Sequence, residues 1–300
     1  MKDIGLIRTA LFVPGNRPDR VDKAVGLGAD MVIIDLEDAV PLKDKVSTRQ
    51  IVREKIENHA ENKLMVRINS LESGLVQGDL AEIVTPGLDA VMLPKVAKSE
   101  DIVQIHAMLV AFEQRNQIDP GSLALVALIE TALGVENAFQ IASTKTEPDR
   151  LHTLAFGAAD FTLDMGIRIS KTGEELFYPR TRLAIACRAA CIKPPLDTPF
   201  MIDLKDQEAL RMDILRGRDL GFGGKLCIHP NQIDICNNLY SPSQAELEFA
   251  TQVVHAFEEA EANGIAAIQV NGKFIDYPVV EQSRRILKIA DRMKMAAEES

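Results

Sequence analysis

Residues 123–130 read LALVALIE: seven apolar residues in a row and then a glutamate. Alternating polarity would mark a strand with one wet face. An unbroken apolar run marks a strand buried on both faces, the habit of parallel sheets. Seven other runs share it to varying degree: TALFV (9–13), MVIID (31–35), KLMVRIN (63–69), AVMLPK (90–95), TLAFG (153–157), PFMID (199–203) and KLCIH (225–229). Helical stretches separate them at 17–28, 45–60, 99–116, 135–143, 180–192 and 207–221. Ser99 reads as an N-cap with Asp101 in the first turn, and the last stretch ends at Gly221. Eight βα units of roughly 30 residues each predict an α/β fold, a closed (β/α)8 TIM barrel. A doubly wound open sheet is the rival.

After residue 240 the rhythm changes. Residues 241–264 read as a long amphipathic helix, 265–280 as a hairpin turned at Asn271-Gly272, and the remainder as a closing helix. The expected division is a catalytic barrel over 1–240 and a C-terminal helical and hairpin extension over 241–300. The extension either packs on the barrel or reaches a neighbouring subunit.

Composition narrows the function. With 46% hydrophobic and 26% charged residues, the chain is globular rather than disordered. A net charge of −10 gives no ground for nucleic acid or an anionic membrane as partner. No stretch approaches the roughly 20 apolar residues of a membrane span, and no signal peptide opens the sequence. A cytoplasmic protein is the expectation. Cys187, Cys191, Cys227 and Cys236 form no CxxC. Cys187 and Cys191 are spaced to share a helical face, but no histidine completes a zinc set there, so reduced core cysteines are expected.

In a (β/α)8 barrel the active site lies at the C-terminal ends of the strands. The polar residues ending each run are Arg17; Asp35, Glu37 and Asp38; Arg67 and Asn69; Lys95; Glu130; Asp160; Asp203; and His229 with Asn231. Carboxylates thus end strands 2, 5, 6 and 7, and cations end strands 3 and 4. Oxygen donors without histidine suit a hard cation, Mg2+ or Mn2+. Glu130 and Asp160 end adjacent strands and are candidates to share it. The alternative is that Asp160 caps a helix while Glu130 pairs with an arginine. Arg67 interrupts an apolar strand and needs a carboxylate, either from Asp35 or Glu37 or from a substrate. No P-loop, GxGxxG or GxSxG follows a strand. His152 and the IHP at 228–230 read as structural.

Seven segments in this order resemble the citrate lyase β-subunit/malyl-CoA lyase (HpcH/HpaI aldolase-like) family: LFVPGNRPDRVDKA, ADMVIIDLEDAV, VRIN, VMLPKV, ALIETALGVENAFQIA, FGAADFTLDMG and IHPNQI. The resemblance runs from Arg8 to about Ala290. It implies a Mg2+-dependent barrel enzyme that cleaves or forms a carbon–carbon bond in 3-hydroxyacyl-CoA thioesters. By motif, Glu130 and Asp160 would be the metal ligands and Arg67 a catalytic, substrate-contacting residue. Phe12, Arg17 and Lys23 would bind CoA, and Ala159, Ile228 and His229 would line the substrate. Asp276 in FIDYP would be the acid/base residue that enters an adjacent subunit's site. That implies a homo-oligomer, a trimer or hexamer. The expected reaction is cleavage of malyl-CoA or citramalyl-CoA to acetyl-CoA and glyoxylate or pyruvate. A citrate lyase β-subunit, a malyl-CoA thioesterase and a non-catalytic CoA-binding protein are the alternatives.

The resemblance leaves the acids of IIDLEDAV (33–40) around the metal rather than on it. Period-two alternation puts Asp35 and Glu37 on one face and Asp38 on the other, unless the strand has already ended. Asp35 is expected to steady Arg67 or a neighbouring loop, and Glu37 and Asp38 to hold metal-bound water.

Overall fold

The computed structural model describes residues 4–298, with side chains through Lys294. Eight parallel strands close into a barrel in sequence order: β1 (Thr9–Pro14), β2 (Met31–Asp35), β3 (Leu64–Arg67), β4 (Ala90–Leu93), β5 (Ala124–Ile129), β6 (Leu151–Phe156), β7 (Leu196–Asp197) and β8 (Gly224–Cys227). Closure is the pairing of β8 with β1, where Leu226 stands opposite Ala10. Gly224 permits it, since a Cβ there would run into the Ile7 carbonyl oxygen.

One face of each strand fills the lumen. Ala10, Ile33, Met65, Met92, Leu128, Ala155, Leu196 and Leu226 belong to one buried cluster, one from each strand. This apolar filling is the barrel core. The alternation then fixes the mouth: two residues beyond these lumen positions come Asp35, Arg67, Glu130, Gly157, Thr198 and Ile228.

The seventh strand corrects the expectation. It lies at Leu196–Asp197, not 199–203, and Asp203 is exposed in the segment that follows. Phe200 is buried from that segment, so its apolar character reflects loop packing. The true strand ends in a buried charge. Asp197 is fully buried and takes Arg180 Nε at 2.8 Å and Lys225 Nζ at 2.9 Å. Arg180 and Lys225 also share Asp213, at 2.8 and 2.7 Å. Two cations and two carboxylates thus join β7 and β8 to the helices Phe177–Ala189 and Gln207–Asp219. Breaking such a network by removing one partner costs about 3–5 kcal/mol.

Further differences are local. Helices at Val76–Ile83, Ala158–Met165 and Ile233–Tyr240 escape the sequence reading. The helix expected at 135–143 is two short ones, Ala132–Glu136 and Ala138–Ala142. Asn137 stands between them and donates from Nδ2 to the Ala97 carbonyl. Ser99 is the first helical residue rather than the cap; the Asp101 carboxylate accepts from the Ala97 and Lys98 amides. Cys187 is buried in its helix, whereas Cys191 lies beyond the helix end and is exposed, so the two share no helical face.

The chain divides into two units between Asn237 and Asn238. In the second, Ser243 caps the helix Gln244–Ala262 through the Glu246 amide. Strands β9 (Ile268–Val270) and β10 (Lys273–Ile275) pair antiparallel across Asn271-Gly272, both at positive φ, as the hairpin signal requires. The helix Tyr277–Glu298 follows, and Val253, Phe257, Ile275 and Val280 form a small core. Among the described residues no helix is long and apolar enough to cross a membrane.

Candidate active site

A cavity of about 980 Å³ opens at the C-terminal mouth of the barrel. Asp35, Arg67, Glu130, Gly157, Thr198 and Ile228, the residues that continue the lumen faces, all line it. Strand alternation therefore aims them there.

Asp35 organises the side of the cavity formed by β2 and β3. Its carboxylate is 1% exposed and accepts from the Glu37 and Ala39 amides, which turns the chain out of β2. The same carboxylate receives a two-pronged guanidinium: Arg67 Nε to Oδ1 at 2.7 Å and Nη2 to Oδ2 at 2.6 Å. Arg67 Nη1 lies 3.1 Å from Glu37 Oε2 and 3.5 Å from Asp38 Oδ2. The guanidinium also stands over the Phe12 ring, 4.9 Å from its centroid. Burial by itself would lower the pKa of Arg67, but the bonds to Asp35 and the surrounding acids raise it, so the cation is permanent.

The three clustered acids separate by environment. β2 has ended at Asp35, so alternation does not govern the next residues. Glu37 is buried, lies outside the cavity lining and takes Lys95 Nζ at 2.6 Å. Burial raises its pKa, with Arg67 opposing. Asp38 is exposed and lines the cavity. Sequence reasoning missed Lys45, whose ammonium holds this loop through the Leu36 and Glu37 carbonyls and Asn69 Oδ1, at 2.9, 2.8 and 2.6 Å. Two of those acceptors are main chain, so no residue pattern announces them.

Glu130 and Asp160 both face the cavity. Glu130 is 1% exposed and its Oε1 accepts the Lys95 amide at 2.8 Å. Its pKa is pushed up to about 8, first by burial, then by the charges of Glu37 and Asp160. Asp160 sits in the first turn of the helix Ala158–Met165. Gly157 makes room for Glu130: a Cβ there would lie 2.5 Å from Glu130 Oε2 and 2.7 Å from Glu130 Cβ. Gly157→Ala is therefore expected to cost about 1–3 kcal/mol through overpacking. A urea midpoint would register it, and an unchanged midpoint would mean that Glu130 yields freely. Two clustered carboxylates with this mutual repulsion are suited to a cation. Among the described residues no group of three or more His, Cys, Asp and Glu is placed to hold one. That donor set fits Mg2+, which takes one or two carboxylates and completes its shell with water and substrate oxygens.

The remaining predicted positions divide. Arg17, Lys23, Ala159, Ile228 and His229 line the cavity, as does Arg20, which the sequence reading passed over. Arg17 is already paired with Asp19, Nη2 to Oδ2 at 3.0 Å. His229 Nδ1 lies 2.7 Å from Asn231 Oδ1. Asp276 belongs to the second unit. It precedes the final helix, and its carboxylate accepts from the Val279 amide at 3.3 Å.

Comparison with known proteins agrees with the barrel. The description HpcH/HpaI aldolase/citrate lyase matches residues 8–230. The citrate lyase subunit beta of Leuconostoc mesenteroides subsp. cremoris is 37% identical, over 97% of this chain and 95% of that one. A (3S)-malyl-CoA thioesterase of Cereibacter sphaeroides is 32% identical, over 95% and 94%. The CitE protein of Mycobacterium tuberculosis, solved with magnesium, acetoacetate and coenzyme A, is 27% identical with a TM-score of 0.78, over 96% of this chain and 99% of that one. A match across most of the barrel, and relatives above 30% identity along nearly the whole chain, make this protein a member of the HpcH/HpaI aldolase/citrate lyase family.

Proposed function

We propose that the chain is a Mg2+-dependent carbon–carbon lyase. It would cleave malyl-CoA or citramalyl-CoA reversibly to acetyl-CoA and glyoxylate or pyruvate. The observation that carries this reading is the pairing of Glu130 and Asp160 in the same cavity as a guanidinium fixed by Asp35. The magnesium, acetoacetate and coenzyme A bound by the Mycobacterium tuberculosis relative support the ligand classes.

Glu130 and Asp160 would hold the cation. When bound, Mg2+ supplies Lewis-acid polarisation of the oxygens of a 3-hydroxy acid. Arg67 keeps its fork on Asp35 and lines the cavity beside Phe12. There it meets the negative charge that develops on the thioester oxygen as the carbon–carbon bond breaks. The hydroxyl would give its proton to water in the cavity, and the acetyl carbon would gain one, so no net proton is consumed. Asp276 of an adjacent subunit would supply that second proton as a general acid. Arg17, Arg20 and Lys23, cations in a chain of net charge −10, would hold the CoA phosphates.

A second reading has its own support. The 37% identity to a citrate lyase subunit beta favours action on a citryl thioester inside a larger complex. One assay separates these readings: condensation of acetyl-CoA with glyoxylate, pyruvate or oxaloacetate by the purified chain. Product from glyoxylate or pyruvate supports the stand-alone lyase. Product from oxaloacetate alone, with co-purification of partner subunits, supports the citrate lyase reading. Free CoA released with intact malate identifies a thioesterase. Co-expressed Asp276→Ala and Asp160→Ala chains are expected to recover activity that neither shows alone; no recovery overturns the shared site.

A further inference from the structure

Four described non-glycine residues adopt positive φ: Lys95, Gln117, Cys191 and Asn271. Three have ordinary reasons. Gln117 and Cys191 follow helix ends, and Asn271 turns a hairpin. Lys95 has none of these. It stands at the mouth of the barrel two residues after β4, with φ 56°. L-residues enter this region at a cost, and sustained cases cluster at functional sites.

The conformation lets one residue make two connections. The Lys95 amide donates to Glu130 Oε1 at 2.8 Å, and its ammonium reaches Glu37 Oε1 at 2.6 Å and stands 3.9 Å from Asp38 Oδ1. The other oxygen of Glu37 lies 3.1 Å from Arg67 Nη1. Glu37 is thus divided between two cations. Without the ammonium, one oxygen of a buried carboxylate, whose charge already acts on Glu130, would be released.

We propose that Lys95 is a positioning residue: its main chain orients Glu130, and its ammonium withholds Glu37 from the cation and keeps that acid beside Arg67. The inference rests on the lyase reading above. It deepens it by explaining how the buried acid Glu37 is kept out of the metal's shell. Lys95 acts through Glu37 and Glu130 and touches no reacting atom.

The test compares Lys95→Met, Lys95→Gly and Lys95→Arg with the wild type in two readouts. One is Mn2+ affinity without substrate, by electron paramagnetic resonance. The other is kcat and KM for thioester cleavage. Lys95→Gly keeps the amide, removes the side chain and relieves the positive φ, which offsets part of the cost of leaving Glu37 with one cation; a denaturant midpoint confirms that each variant is folded. Lys95→Met and Lys95→Gly are expected to bind Mn2+ at least threefold more tightly while kcat falls tenfold or more. Lys95→Arg should stay within twofold in affinity. A residue that merely braced the fold would loosen the cation when replaced. Looser or unchanged affinity, or an unchanged kcat in Lys95→Gly, overturns the proposal. Wild-type protein that binds no Mn2+ overturns the lyase reading and this inference with it, whereas wild-type binding and cleavage with indifferent variants overturn this inference alone.

Discussion

Glu130→Gln is expected to abolish cation binding and turnover together. The amide keeps the shape of the carboxyl and can still accept from the Lys95 amide, so the site around it should stay in place. What it removes is charge. Loss of groups around a metal shell typically costs about 10–100-fold in affinity or activity, and loss of a direct donor should exceed that, about 1,000-fold or more in kcat. Asp160→Asn should behave alike. Full activity in either variant would sink the metal assignment. A pH signature accompanies the loss. In the cation-free fold, Glu130 has a pKa of about 8, against 4.5 as the ordinary value. A raised folded pKa means the group stabilises the fold below the unfolded value, and that contribution disappears as pH rises through about 8. Cation-free wild type should therefore lose stability between about pH 4.5 and 8, in a step that Glu130→Gln lacks. Cation binding requires the deprotonated acid, so wild-type affinity should weaken about tenfold per unit below pH 8.

Arg67→Ala should fail on two counts. A preorganised donor aimed at developing negative charge is worth about 100–1,000-fold in kcat. Its removal also strands Asp35, 1% exposed, without its cation, at about 3–5 kcal/mol. Arg67→Lys separates the two effects. Lysine keeps the charge and one bond to Asp35 but cannot reproduce the fork at 2.7 and 2.6 Å or stack on Phe12. Stability should be partly restored and kcat should stay low. Steady-state kinetics and a denaturant midpoint measured on the same samples decide it. A variant that loses stability yet keeps its rate reduces Arg67 to a buried ion pair.

How far the chain can be read without coordinates depends on what carries each feature. Seven strands announce themselves because burial on both faces demands apolar side chains, and β5 does so most clearly. The seventh hides because Asp197 is buried by pairing, not by hydrophobicity. The residues lining the cavity are legible for a related reason: once Leu128 is assigned to the lumen, alternation delivers Glu130 to the mouth. Lys45 and Lys95 are not legible in the same way. One works through carbonyl oxygens and the other through a backbone angle, and neither leaves a trace in residue type. Glu37 and Asp38 are adjacent acids, and only the end of β2 at Asp35 separates the buried one from the exposed one.

The apolar filling of the lumen has a consequence for traffic. With Ile33, Met65, Met92 and Leu128 packed beneath it, the floor of the cavity is sealed by side chains. Under the proposed lyase reading, thioester, cation and small acid would then share one doorway. On that reading, a small product bound nearer the floor than a pantetheine arm would leave only after the arm withdraws. In such a cup, the order of release and the pattern of product inhibition are set by architecture as much as by affinity.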